Sequence, residues 1–472
     1  MSATADAVGG TSMVLIGAGS TVFTPGLMAD LVGNRTFDGW TVHLVDLNVE
    51  AAEVMARVGR RLADARGADV TFVPHTDRRE ALPGARIVTT TIAVGAAEGW
   101  RLDLEVPGAY GIAQTVGDSV GPGGVLRALR HVPELVAIAR DVADLAPGAQ
   151  LVNYSNPLPA NVRGVTAETG VPTIGLCHGT MHTLAKLNAD LGLSDRASEV
   201  HATFAGLNHL CWLLEYRLGT EDLYPRLAAL VQQHAERAGG RDAPTSGEEG
   251  VHLPVSADLF RTFGRYPAPG DRHVAEFFAW YLRDADSDDL PWGLQQGRDD
   301  TIRYIGQKAD LWERLHDQAD GRIPVDGARP DQEAERLVSI AEALVTGREH
   351  VELAVNVPNR GAIANLPAEA VVEVPAVVGA AGVVPLRVGP LPAAIAAVLA
   401  ARAEQQELTV RAALLGDRDL AVQALALDPL VPGPEVARRI LDDAVGAHGA
   451  ALARFAAAPA DPSARHARTE NA

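Results

Sequence analysis

Residues 13–46 read MVLIGAGSTVFTPGLMADLVGNRTFDGWTVHLVD, and their order decides the fold. Four apolar residues, Met13–Ile16, form a strand that runs straight into Gly17-Ala18-Gly19-Ser20. A helical pattern follows to about Gly33. Thr41–Val45 then makes a second strand ending at Asp46, 29 positions after Gly17. Glycines let the backbone turn tightly and approach a pyrophosphate, whose charge rests on free N–H groups at a helix start. Gly17, Gly19, Ser20 and Thr21 are the candidate cradle for that group. Asp46 can accept hydrogen bonds from ribose hydroxyls and disfavours a 2′-phosphate, which points to NAD more than NADP. The usual third glycine position holds Val22, so the reading rests on strand, loop, helix, strand and acidic end together. The competing reading is a Gly-rich turn that binds nothing.

The pattern continues outward. Arg86–Ala93 and Ala149–Asn153 read as further strands, with the helical segment Pro122–Asp144 between them. Strands alternating with helices give a parallel sheet covered on both faces. Beyond Asn208 the pattern is mixed. Glu221–Ala238 reads as a helix, Gly239–Gly250 as a polar loop, and residues 259–278 as a loop-to-helix segment dense in Tyr, Asp, His and Arg. A helix over Asp331–Thr346, a strand over Val351–Asn356 and extended pieces at Ala370–Val378 and Leu386–Val388 precede a helical C-terminal third. The expected organisation is a loose tail over 1–11, a nucleotide-binding domain over 12–175, a catalytic domain over 176–457 and a disordered tail over 458–472.

The chain has 472 residues, 47% hydrophobic and 21% charged, with a net charge of −19. That balance suits a globular protein and argues against nucleic acid or an anionic membrane as partner, since both are approached through clustered cations. No signal peptide and no membrane span is expected. Two cysteines, Cys177 and Cys211, make a disulfide framework improbable and point to a reducing cytoplasm.

Cys177 and His209 stand 32 positions apart in GLCHGT and FAGLNHL. Thiolate and imidazole both suit a transition-metal ion. At that separation a shared ion must be assembled by the fold. The bland alternative is a buried cysteine and a hydrogen-bonded histidine.

Several phrases together resemble glycoside hydrolase family four: LIGAGSTVFTPGL (15–27), YGIAQTVGDSVGPGGVLRALRHVPE (110–134), NYSNP (153–157), GLCHG (175–179), GLNHL (206–210), VNVPNRGAIANLP (355–367), VEVP (372–375) and DPLV (428–431). The resemblance implies an α/β fold similar to lactate and malate dehydrogenases, an N-terminal Rossmann domain with a parallel sheet plus a C-terminal α+β domain. It also implies a glycosidase that departs from the usual two-carboxylate chemistry. NAD takes hydride from C3 of the sugar, the C2 proton becomes acidic, the aglycone leaves by elimination, water adds, and the hydride returns. Cys177 and His209 match the family's metal ligands, with manganese the expected ion; chemical softness alone would have suggested zinc.

In the same way, Asn156 and Asp118 match positions that hold sugar hydroxyls; the alternatives are a turn-capping Asn and a helix cap. The base is expected between Asp271 and Tyr266, with preference for Asp271 and with His273 close by. His178, after the metal cysteine, resembles members acting on unphosphorylated α-glycosides, and CHGT most resembles the α-galacturonidases and α-glucuronidases. His178 would protonate the leaving oxygen or hold substrate. A uronate needs a cation, for which Arg272, Arg261 and Arg265 are candidates. The partner is a small carbohydrate, and a homodimer or homotetramer is implied. Two rivals stand against this reading: a 2-hydroxy-acid dehydrogenase, and an NAD-binding regulator without activity.

Overall fold

The computed structural model describes residues 11–238, 253–282, 290–325 and 336–456. Six strands run parallel: β1 (Ser12–Ile16), β2 (Trp40–Val45), β3 (Val70–His75), β4 (Ala85–Thr90), β5 (Gln150–Asn153) and β6 (Thr173–Gly175). Their spatial order is 3-2-1-4-5-6. β1 is buried along all but its first residue, as a central strand covered on both faces must be. Chain direction across the sheet reverses between β1 and β4, and the crevice at such a switch point is where ligands of this architecture sit.

The sheet does not stop at β6. β11 (His350–Pro358) joins it antiparallel through Asn356 and Gly175. Beyond it come β12 (Val371–Gly379), the hairpin of β7 (Val200–Leu207) and β8 (Leu210–Leu218), and β10 (Tyr266–Ala268). β9 (Glu221–Asp222) and β13 (Gly382–Pro385) pair at the side with β8 and β12, giving thirteen strands among the described residues. The main hydrophobic core fills both faces of the parallel part and extends under β11, β12 and the C-terminal helices. A second cluster around Phe204, Tyr216, Phe260 and Tyr266 covers the hairpin.

Local chemistry fixes the element ends. The helix Val49–Arg66 starts at Asn48, whose side chain accepts from Glu50 N and Ala51 N, and stops at left-handed Gly67. Among the described residues no helix is long and apolar enough to cross a membrane.

Several expectations need correction. The strand placed at Arg86–Ala93 ends at Thr90: the Thr91 N–H makes the last ladder bond, to Ile16 O at 2.9 Å, and its hydroxyl then turns to Gly17 O. Glu221 and Asp222 belong to β9; the helix begins at Tyr224, whose N–H is accepted by Asp222 Oδ1 at 3.0 Å. Residues 259–278 are not loop-to-helix but helix Pro254–Phe263, β10 and the short helix Asp271–Ala275. Leu386–Val388 lies past the end of β13, bonded to Pro375 O and Ala362 O as the chain leaves the sheet edge. The tail 1–10, the loop 239–250, the start of the helix placed at Asp331 and the tail 458–472 lie outside the described residues.

Candidate active site

The glycine loop sits at the switch point. Gly17, at φ +88°, donates to Val45 O at 2.9 Å, and a Cβ there would stand 2.8 Å from the Thr91 carbonyl carbon. Gly19 donates to Asp46 Oδ2 at 2.7 Å, and its missing Cβ leaves room that Asp46 and Ala51 would otherwise close. Phe23, which precedes the helix Thr24–Gly33, offers no side-chain cap, and the buried Thr24 hydroxyl has no partner among the described residues. Ser20 Oγ accepts from Phe23 N, and buried Thr21 neighbours Tyr304. An uncapped helix start behind a backbone cradle, with a carboxylate at the end of β2, fits a dinucleotide.

Cys177 follows β6. His209 is the second residue of the two-residue turn that joins β7 to β8, since Leu207 faces Leu210 across the ladder. Its φ is +66°, a left-handed conformation that glycine or asparagine adopts more easily. Strain of this kind persists where the surroundings over-determine it, commonly at functional sites. The fold thus joins two residues that are far apart in sequence, and their side chains are hydrogen-bonded to each other. Burial pushes the Cys177 thiol up, but His209 beside it draws it below its ordinary value. Burial alone would lower His209; Cys177, Asp118 and Glu373 raise it to about 9. A thiol and an imidazole sharing a proton suit a divalent ion that displaces it. Among the described residues no group of three or more Cys, His, Asp or Glu is assembled for an ion.

Around the pair stand the sugar-binding candidates. Asp118 Oδ2 accepts from Asn156 Nδ2 at 2.8 Å and Oδ1 from Ser119 Oγ at 2.8 Å. Burial would raise the Asp118 carboxyl, but His209, Arg127 and His273 together hold it below its usual value. Arg127 donates through Nε to Asn156 O at 3.1 Å. His178 stacks between Tyr154 and His182, with ring centroids 6.4 Å and 5.8 Å away.

The structure therefore gathers Cys177, His209, Asp118 and Asn156, with His178 next in sequence to the thiol. Tyr266 and Asp271 make their contacts with other residues. Tyr266 is 1% exposed in the second core cluster, against Phe260. Asp271 accepts from Val255 N (2.9 Å), Ser256 N (2.8 Å) and Ser256 Oγ (2.7 Å). These are the second and third residues of the helix Pro254–Phe263, which Leu253 cannot cap; Asp271 does so from a distance. Burial outweighs those donors and raises its carboxyl to about 6.

From the same segment it is His273 whose ring meets His209, at 4.1 Å between centroids. Burial and His209 lower it to about 3, so it is a neutral imidazole, and its Nδ1 has no partner among the described residues. Of the arginines considered, Arg261 pairs with Asp258, Arg265 lies over the Tyr224 ring, and Arg272 donates to Thr115 O.

Other contributors had only faint sequence signals. Glu276, an acid inside the apolar AEFF, accepts from Val116 N and Gly117 N, both at 2.8 Å, and so holds the loop that carries Asp118. Glu373, in VEVP, is 2% exposed and accepts from Asn208, Asn356 and Thr180 behind the Cys–His pair. Arg336 donates to Cys177 O at 3.2 Å and pairs with Glu352. Arg127 stands in the sequence only as one of three arginines in the helix Gly121–Leu145.

Fold and site thus define an α/β protein whose first loop fits a dinucleotide, with a thiol–imidazole pair beside a cluster of polar side chains. Comparison with known proteins agrees. Residues 12–193 match the family 4 glycosyl hydrolase model and residues 204–431 match the family 4 glycosyl hydrolase C-terminal domain. Bacillus subtilis α-galactosidase is 30% identical over 441 residues, covering 93% of this chain and 98% of that protein. Bacillus subtilis α-galacturonidase is 32% identical over 429 residues, covering 88% and 92%. Among solved structures, Bacillus subtilis lplD superposes with a TM-score of 0.81 at 31% identity, covering 92% of this chain and 99% of that one. A 6-phospho-α-glucosidase from gut microorganisms, in complex with NAD and Mn2+, superposes at 0.76 with 20% identity, covering 93% and 98%; it shares the fold. The chain belongs to glycosyl hydrolase family 4 and is a glycosidase.

Proposed function

We propose that this enzyme hydrolyses unphosphorylated α-galacturonides or α-glucuronides, using NAD and a divalent metal ion, manganese above others. The observation that carries the reading is the Cys177–His209 pair, hydrogen-bonded to each other and flanked by Asp118, at the mouth of a sheet whose first loop fits a dinucleotide. Bound NAD supplies a reversible hydride acceptor, and the ion supplies positive charge where oxyanion character develops on the sugar.

The chain's own residues do the rest. Gly17, Gly19, Ser20, Thr21 and Asp46 would hold the dinucleotide; Cys177 and His209 would hold the ion. Asp118 and Asn156 present a carboxylate and an amide, already bonded to each other, to the sugar hydroxyls. His178, stacked on Tyr154, would hold or protonate the leaving oxygen. For the C2 proton the candidates are Asp271, whose carboxyl burial raises to about 6 and so towards a working base, Tyr266, and His273, whose ring lies against the ligand pair. A reducing cytoplasm would preserve the thiol, and a homodimer or homotetramer, checked by light scattering, completes the reading.

A panel of p-nitrophenyl α-glycosides and α-uronides, assayed with NAD, manganese and a reductant, tests the proposal. Uronides should be cleaved faster than their neutral counterparts. Cleavage of neutral glycosides with no response to uronides would favour a second reading, an α-galactosidase or α-glucosidase. The α-galactosidase relative, which spans 93% of the chain, keeps that reading open. Net NADH formation in step with turnover would instead indicate a dehydrogenase.

A further inference from the structure

The helix Gly121–Leu145 carries two arginines one turn apart on its inner side, and they differ in how their charge is answered. Arg130 is 3% exposed and makes a two-pronged pair with Asp103, Nη1 to Oδ1 at 2.6 Å and Nη2 to Oδ2 at 2.8 Å. Arg127 is half-buried. Among the described residues its side chain makes one hydrogen bond, Nε to Asn156 O, and no carboxylate forms an ion pair with it. Burial lowers its affinity for the proton despite the more distant Asp118 and Asp103. A guanidinium does not give up its proton in a protein, so this reads as the cost of holding a charge that nearby carboxylates answer only in part and without a direct ion pair.

We propose that Arg127 is the residue that selects the substrate's C6 carboxylate, its two terminal amino groups gripping the two oxygens of the uronate. This rests on the uronide reading above. The fork of a guanidinium matches a carboxylate in plane and spacing. The location suits it: Arg127 is bonded to the backbone oxygen of Asn156, whose side chain is bonded to Asp118. One sugar can therefore meet all three. The competing anion is a phosphate of the dinucleotide, because Arg127 also senses Tyr304, which neighbours Thr21 in the glycine loop. The carboxylate is favoured because the direct bond is to the sugar-binding side.

The test compares wild type, Arg127→Met and Arg127→Lys on p-nitrophenyl α-D-galacturonide and p-nitrophenyl α-D-galactoside, which differ at C6. The readouts are the ratio of the two kcat/KM values, inhibition constants for D-galacturonate and D-galactose, and the NAD dissociation constant. Arg127→Met should lower the galacturonide-to-galactoside ratio about 100-fold, the range for truncating one member of a buried charge pair. Arg127→Lys keeps the charge without the fork and should lose part of the ratio; it carries the test if the Met variant does not fold. Galacturonate inhibition should weaken more than galactose inhibition. A ratio unchanged in Arg127→Met, where the wild type does cleave the galacturonide, overturns the assignment alone. A loss that tracks weakened NAD binding also overturns it and gives the anion to the cofactor. A wild type inactive on both the galacturonide and p-nitrophenyl α-D-glucuronide removes the substrate reading, and the assignment with it.

Discussion

Cys177 and His209 share a proton in the protein, and that sharing sets what substitution should do. Cys177→Ser leaves a poorer ligand that does not stabilise an imidazolium, so manganese binding should weaken more than about 100-fold, beyond what losing an outer-shell partner costs. Equilibrium dialysis with metal analysis reads this directly, and unchanged affinity would remove the pair from the metal site. Asp271 makes the opposite case. Asp271→Ala should lower unfolding free energy by about 2 kcal/mol, the upper end for a lost helix cap, measured by urea denaturation. A variant that keeps its stability but loses activity would return Asp271 to the role of base. The Cys177–His209 pair was legible as a candidate because few residue types bind such ions, and the fold does bring the two together. The role of Asp271 was not, because the amides it serves lie at Val255 and Ser256, in an element whose position only the fold determines.

At the level of elements, the segment 271–276 clasps the loop 115–117. Thr115 Oγ donates to Arg272 O, Arg272 donates to Thr115 O, and Glu276 accepts from two successive amides. Burial raises the Glu276 carboxyl from its ordinary 4.5 to about 8, against the pull of those amides. The folded protein thus keeps a proton that the unfolded chain has lost. The resulting stability is complete below about pH 4.5 and disappears as pH rises through about 8. The melting temperature should fall between pH 5 and pH 9, and fall less in Glu276→Gln, which mimics the protonated form; identical slopes would contradict this. Glu276→Ala should also raise KM, by loosening the Asp118 loop, while Glu276→Gln should not. Of the six parallel strands, β1, β2, β4 and β5 were readable as apolar runs ending in a turn signal; β3 and the three-residue β6 were not. The β7–β8 hairpin was not: Val200–Leu218 is apolar along most of its length, and its turn, Asn208-His209, lacks the glycine that announces a hairpin.

Across the whole molecule, one sheet carries both the dinucleotide crevice and the hairpin that presents His209, so the two sites are held by continuous hydrogen bonding. The alternation of strands and helices revealed the first half of that sheet. The second half, in which β11 and β12 link β6 to β7, depends on pairings between segments more than 140 residues apart, which no local pattern encodes. If both sites serve one sugar, oxidation and re-reduction must balance on the enzyme, and NADH should not accumulate during turnover. The most direct test is hydrolysis of p-nitrophenyl α-D-galacturonide in D2O with NAD and manganese, followed by mass and proton spectra of the sugar. The account predicts product that carries solvent deuterium at C2. Product released with its original hydrogen at C2 would contradict it.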